Sequence, residues 1–350
     1  MKINGHSHIL PNPEEIPAFM KEKKIFWIDT DRKFMRQGEW KRPITDPSFF
    51  LTEKLEWMEQ NHIDMSVVLN LSQLYGNGLN IHDLKDALTF QNDYNASLQH
   101  NHPNKFITGF VVHGKALKWS LKEIERCVEQ HKMKLLCLPT HFLDQNNSWK
   151  GIFSKEMEPI FELANRYKLA VEIHPYDGEK FIALENQAWR FHLVWMLAQC
   201  ADAYHFYTLH RYYQKYENLR VCFAHGGQLN HMNIGRRATG FSGRPDLFEG
   251  MTHPELATGH KNIYFDTLVH DVLSFELMVK RLGGTDQIIM GLDDPYPLGE
   301  MDNPETGSTP GGLIQEAVDN GIITQQQSDQ IWEHNVLKWL GIQTDLRPKY

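Results

Sequence analysis

Short apolar runs recur along this chain, and each is followed by a helix-like stretch or a loop that leads to one. Eight runs have the length and residue types of strands: Lys2–Gly5, Met65–Leu71, Phe106–Val112, Lys134–Leu138, Ala170–Ile173, Leu219–Ala224, Asn262–Asp266 and Gln287–Gly291. Helical periodicity lies between them over Ile81–His100, Leu117–Gln130, Lys155–Tyr167, Gln187–Lys215 and Val272–Leu282. This alternation is the rhythm of parallel β/α units. Eight units predict an α/β chain closed into a (β/α)8 TIM-like barrel, as one domain over residues 1–350. An open, doubly wound sheet is the alternative, but no Gly-rich phosphate loop follows the first strand.

The long segment between the first two strands breaks the rhythm. It carries Trp27, Trp40 and Pro43, the basic residues Lys33, Arg36, Lys41 and Arg42, and a helix over Leu51–Gln60. We read 12–63 as an insertion over the barrel mouth, and Gly311–Leu340 as two or three extra C-terminal helices packed outside.

A net charge of -8 argues against a nucleic-acid-binding surface, which needs clustered Lys and Arg. No run approaches a membrane span, and the N-terminus lacks a basic region followed by an apolar one. The four cysteines, Cys127, Cys137, Cys200 and Cys222, form no paired motif and read as buried reduced thiols. The expected compartment is the cytoplasm.

In barrels of this type the active site lies at the carboxyl ends of the strands. The first strand ends in His6 and His8, which point to one side because strand residues two apart share a face. The fifth ends in His174, the sixth in His225 before Gly226 and Gly227, and the eighth in Asp293. Any one of these could be a strand cap or a turn residue. Five at four strand ends point to a shared purpose. Three neutral imidazoles and a carboxylate suit zinc, which can expand its coordination and still hold a water. The fourth histidine is then free to act as a base. The fourth strand ends in Leu138-Pro139-Thr140-His141 and offers no lysine to bridge two metals, so one ion per chain is expected.

These motifs resemble the amidohydrolase superfamily, and within it the metal-dependent decarboxylase branch. The likeness rests on His6-Ser7-His8-Ile9-Leu10-Pro11 and on Val221-Cys222-Phe223-Ala224-His225-Gly226-Gly227. It continues through Gly235-Arg236, Gly240-Phe241-Ser242, Arg244-Pro245-Asp246-Leu247, Asp266-Thr267-Leu268-Val269-His270-Asp271 and Pro295-Tyr296-Pro297-Leu298-Gly299-Glu300. The resemblance implies that His6, His8, His174 and Asp293 bind the metal and that His225 is the base that takes a proton from water. It implies a substrate-binding arginine after the first strand, matched by Arg36 with Arg42 as the fallback. Arg236 and Arg244 match arginines near a subunit interface, which implies a homodimer with an arginine contributed across it. His192 stands where the family has a pocket tryptophan.

The chain departs from the family pattern at several of these places. Asn4 and Gly5 replace an acidic and an apolar residue beside the first histidine, and Gly5 is read as removing a side chain next to the site. Asp294 stands where an aromatic residue is expected and is read as adding negative charge to the pocket. Tyr204–Arg211 is unusually aromatic. The expected activity is zinc-dependent, non-oxidative decarboxylation of a small unsaturated or aromatic carboxylic acid. Hydrolysis of a related lactone or amide, or hydration of an unsaturated acid, uses the same zinc and base and is the competing reading.

Overall fold

The computed structural model describes residues 1–176 and 187–342. Its eight barrel strands are Ile3–Ser7, Met65–Val68, Phe106–Val111, Leu135–Pro139, Ala170–His174, Arg220–Phe223, Ile263–Asp266 and Ile288–Ile289. All neighbours in this order pair in parallel. The eighth strand returns to the first: Gly5 N donates to Met290 O at 2.7 Å, Asp293 N to His6 O at 2.8 Å, and Ser7 bridges Asp294 in parallel. The barrel is therefore closed where the strand carrying His6 and His8 meets the strand that leads to Asp293.

Closure depends on a missing side chain. A Cβ on Gly5 would lie 2.6 Å from Met290 O, with Val336 beyond it. Gly5 thus lets the eighth strand approach, and its free side faces away from the histidines. The side chain that Gly5 lacks would therefore lie against the eighth strand and Val336, not next to the site as expected. An irregularity in register between Asn4 and Ser7 separates two groups of side chains. His6 and His8 meet Asp293, while Asn4 and Ser7 meet Asp294.

Strand residues alternate between two cores, as period-2 geometry requires. Val67, Val111, Leu135, Cys137, Cys222, Tyr264 and Ile289 share one cluster with Trp339 and Leu340. Val68, Phe110, Leu136, Val171, Val221, Phe223 and Phe265 share another with helix residues such as Ile124, Ile160, Phe161 and Met278. The tail does form extra helices, at Gly312–Asp319, Gln325–Asp329 and Asn335–Leu340. The last does more than lie outside. Asn335 Nδ2 donates to Thr285 O and Ile288 O at 2.8 Å each, and Trp339 Nε1 to Arg220 O at 3.1 Å. These contacts fasten it across the amino ends of the sixth and eighth strands.

The helices Ile81–Asn101, Leu117–Glu129 and Val272–Leu282 fall where periodicity places them. The long helix expected over Gln187–Lys215 is broken. A π-helical turn occupies Phe191–Trp195, an α-helix follows at Met196–Leu209, and Arg211 at φ 56° separates it from Tyr212–Lys215. π turns mark functional stretches of helix, and this one carries His192. Among the described residues no helix is long and apolar enough to cross a membrane.

The insertion folds as a three-stranded antiparallel sheet (Trp27–Ile28, Phe34–Gln37, Trp40–Pro43) and the helix Leu51–Gln60. Its own core of Met20, Phe26, Ile28, Met35, Phe49 and Phe50 packs on Leu74 and Tyr296, which follow the second and eighth strands. Beyond Tyr296, the loop is tied to the C-terminal helices through Glu300, whose Oε2 accepts from Gly311 N at 2.8 Å. Burial pushes the Glu300 carboxyl up to about 7, against that hydrogen bond. A raised folded-state pKa gives stability that is full below the unfolded value and lost as pH rises through the folded one. Ionising Glu300 should therefore cost about 3 kcal/mol by pH 8, at about 1.36 kcal/mol per pH unit. Glu300→Gln keeps the acceptor, so its melting temperature should exceed that of wild type at pH 8 and approach it at pH 5.

Candidate metal centre

Four ligating atoms from three strand ends face one another. His6 Nε2 and His8 Nε2 are 3.3 Å apart, and lie 3.4 and 3.1 Å from Asp293 Oδ1. His174 completes the group, with all four ligating atoms within 4.8 Å of one another and every residue buried. His174 Nδ1 is engaged by Pro175 O at 2.5 Å, while its Nε2 is buried with no hydrogen-bond partner. A Cβ on Gly291 would meet Asp266 Cβ at 2.7 Å and His6 Cβ at 3.0 Å, so glycine is what lets the eighth strand pass beneath the cluster.

The electrostatics call for a cation. Burial holds His8 and His174 below the ordinary imidazole range, which leaves them neutral and able to donate a lone pair. His6 behaves oppositely: burial alone would lower it, but Asp266 and Asp293 together hold it well above. Asp293 is held well below the usual carboxylate range, the partners His6 and His8 outweighing burial. Two buried carboxylates thus draw positive charge into the cluster. Three imidazoles and one carboxylate are a donor set that fits a divalent metal.

Asp266, which stands out in the sequence only as part of a motif, organises the centre. Its Oδ2 takes the His6 Nδ1 hydrogen at 2.8 Å, which turns His6 Nε2 toward Asp293, the arrangement typical of a metal-bound histidine. The same carboxylate accepts from the backbone amides of His225 at 3.0 Å, Gly226 at 2.6 Å and Leu268 at 3.1 Å. Glu172 lies near His6 and Asp266 as a second acidic grouping. With four donors already on it, Asp266 has little left for a second ion, and burial holds Glu172 well above the usual carboxylate range. The one available signal for Asp266 was its place at the end of the seventh strand.

His225 stands beside the four rather than among them. Its Nε2 is 3.9 Å from Asp293 Oδ2, and burial lowers it to about 4, so it is a neutral base at physiological pH. It lines a cavity of about 160 Å³ together with His174, Asp293, Arg42, Gln73, Trp189 and Tyr296. His192 is also in this wall, with its ring 5.0 Å from that of Trp189. Gln228 and His270, neither of them expected as a site residue, complete the polar lining.

The arginines divide. Arg36 is held by Asp29 through Nε at 2.7 Å and Nη2 at 2.7 Å and does not line the cavity. Arg42 does, with its guanidinium 4.6 Å from the Tyr296 ring centre. Arg236 is exposed, Arg244 pairs with Asp246 at 2.8 Å on the surface, and neither lines the cavity of its own chain. Asp294 also differs from expectation. It is fully buried against Lys54, Asn4 and Ser7, so its charge is neutralised behind the wall and does not enter the pocket. The aromatic stretch is core only in part: Tyr204 and Tyr207 are buried and pack on Phe223, whereas Phe206 is exposed.

A model of the amidohydrolase family matches residues 3–308. The chain belongs to that family. A 2-amino-3-carboxymuconate-6-semialdehyde decarboxylase of Dictyostelium discoideum is 28% identical, over 98% of this chain and 92% of its own length. The structure of 5-carboxyvanillate decarboxylase from Sphingomonas paucimobilis matches with a TM-score of 0.75 at 16% identity, covering 98% of this chain and 99% of that one. A dihydroxybenzoic acid decarboxylase from Polaromonas, solved with manganese and an inhibitor, matches at 0.70 and 14%, covering 97% and 96%. These similar proteins are decarboxylases, the branch of the family that the motifs of this chain resemble.

Proposed function

We propose that this amidohydrolase removes CO2, without a redox cofactor, from a small unsaturated or aromatic carboxylic acid, using one zinc ion per chain. The observation that carries the reading is the single cavity wall shared by His174 and Asp293 of the metal cluster, the neutral His225 and the cation Arg42. A divalent metal held by His6, His8, His174 and Asp293 supplies a Lewis acid that stabilises negative charge on a substrate oxygen. Arg42 binds a carboxylate by charge-assisted bonds. Trp189, Leu193, Met196 and Leu298 give the cavity flat and apolar walls suited to a planar molecule. As the bond to the carboxylate breaks, its electron pair stays on the ring or chain carbon. Neutral His225 first takes a proton from a water molecule at Nε2 and then passes it to that carbon in place of CO2, and the hydroxide left behind takes up a solvent proton. Arg236 and Arg244, exposed in one chain, belong in this reading to the interface of a homodimer, and the enzyme works in the cytoplasm.

The test is product analysis on a panel of unsaturated and aromatic acids with metal-loaded protein. Release of one CO2 per turnover is expected. Water uptake with all carbons retained would replace this reading with hydrolysis or hydration. On a turned-over substrate, Arg42→Met should raise KM at least about tenfold, the loss of a charge-assisted hydrogen bond of about 1.5–3 kcal/mol. Arg36→Met, which breaks only the contact with Asp29, should leave KM within about threefold, because a partly exposed ion pair is worth about 0–1 kcal/mol.

A further inference from the structure

Two of the departures from the family pattern, Asn4 and Asp294, touch each other. Asp294 Oδ1 accepts from Asn4 Nδ2. Its Oδ2 accepts from Ser7 Oγ at 3.1 Å and forms an ion pair with Lys54 Nζ. Lys54 and Asp294 are both 0% exposed, and Nζ also reaches Ser7 Oγ at 3.2 Å. The backbone joins in: Asp294 O accepts from His8 N at 2.9 Å, and Asn4 Oδ1 from His6 N at 3.1 Å and Leu292 N at 3.0 Å. Lys54 belongs to the helix Leu51–Gln60 of the insertion. One connected set of bonds therefore ties that helix to both strand ends that carry His6, His8 and Asp293.

A buried ion pair adds little net stability over an apolar pair of similar size. What it supplies here is position. The charge count also accounts for Asn4. One ammonium balances one carboxylate, and an aspartate at position 4 would set a second carboxylate against Asp294 with no cation to spare for it.

We propose that Lys54 and Asp294 are positioning residues of the metal centre. Their buried pair locks the insertion helix onto the seam between the first and eighth strands and sets His6, His8 and Asp293 in place, with Asn4 as the neutral member that the pair requires. This rests on the reading of those three side chains as metal ligands.

The experiment measures affinity for Zn2+ and Mn2+ by competition with a chelating dye, beside thermal denaturation of the metal-free protein. The proteins are wild type, Lys54→Met, Asp294→Asn, the double variant of these two, Asn4→Asp, and Asn4→Asp combined with Asp294→Asn. Each single change should weaken metal binding at least about tenfold, the scale of lost outer-shell support. The Lys54→Met/Asp294→Asn protein has no unpaired buried charge, so it should melt with wild type yet keep the tenfold loss in affinity. Adding Asp294→Asn to Asn4→Asp should restore most of the affinity, because one carboxylate again faces one ammonium. Wild-type metal affinity in the Lys54→Met/Asp294→Asn protein would overturn the positioning role, even if the single variants failed to fold. So would an Asn4→Asp defect that Asp294→Asn leaves unrelieved. Wild-type protein that binds neither ion would overturn the metal reading itself, and that result involves no variant.

Discussion

Replacing His225 by asparagine or alanine is expected to lower kcat/KM by about 10²- to 10⁴-fold, the usual share of a general acid–base group, while bound metal per chain stays the same. The geometry separates the two readouts. His6, His8, His174 and Asp293 hold their ligating atoms all within 4.8 Å of one another, and His225 is not a member of that group although its Nε2 comes within 3.9 Å of Asp293 Oδ2. Its backbone amide is bonded to Asp266 and its φ is 57°, so the ring is placed by the main chain. Asparagine tolerates that left-handed conformation better than alanine, which makes it the cleaner of the two variants. Elemental analysis beside steady-state kinetics decides the matter. Metal lost in proportion to rate would make His225 a ligand and end its assignment as the proton-transfer group.

Asp266→Ala should do the reverse, with metal affinity falling about 10- to 100-fold, as for loss of an outer-shell partner. The protein should also be destabilised by several kcal/mol, since an uncompensated buried donor costs about 1–3 kcal/mol. The alanine leaves His6 Nδ1 and the amides of His225, Gly226 and Leu268 without their acceptor. Asp266→Asn keeps one acceptor oxygen for those amides but turns an amide group toward His6. It should recover much of the stability and little of the metal affinity. Denaturation of metal-free protein and a metal titration separate these effects. Wild-type affinity in Asp266→Ala would show that His6 needs no orienting partner.

The barrel was open to sequence reading because each strand is a short β-rich run bounded by a helix, and the parallel sheet buries both of its faces. The same logic located His6, His8, His174, His225 and Asp293, since strand ends are fixed as soon as strands are. Asp266 escaped notice because a carboxylate that works through another side chain looks in sequence like any acid at a strand end. Arg36 and Arg42 were both in view, six residues apart on a small antiparallel sheet. Sequence offers no means of telling which one meets Asp29 and which reaches the cavity. The expected helix from Gln187 to Lys215 showed only its period, while its interruption at Arg211 and the π turn around His192 are features of the folded chain that periodicity does not carry.

By itself, then, the sequence determined the order of the strands, the polar residues at their ends and hence the donor set of a candidate metal site. These follow from local period and residue type, which do not depend on distant contacts. Tertiary structure alone decided what each charge faces. Asp294, next in the chain to Asp293, is turned to the far side of the wall, where Lys54 from a helix 240 residues away neutralises it. Asp266 is brought to His6 across 260 residues to set which nitrogen faces Asp293. Burial makes an unpaired charge so costly that every one must find its partner, and only the closed barrel determines which partners lie within reach.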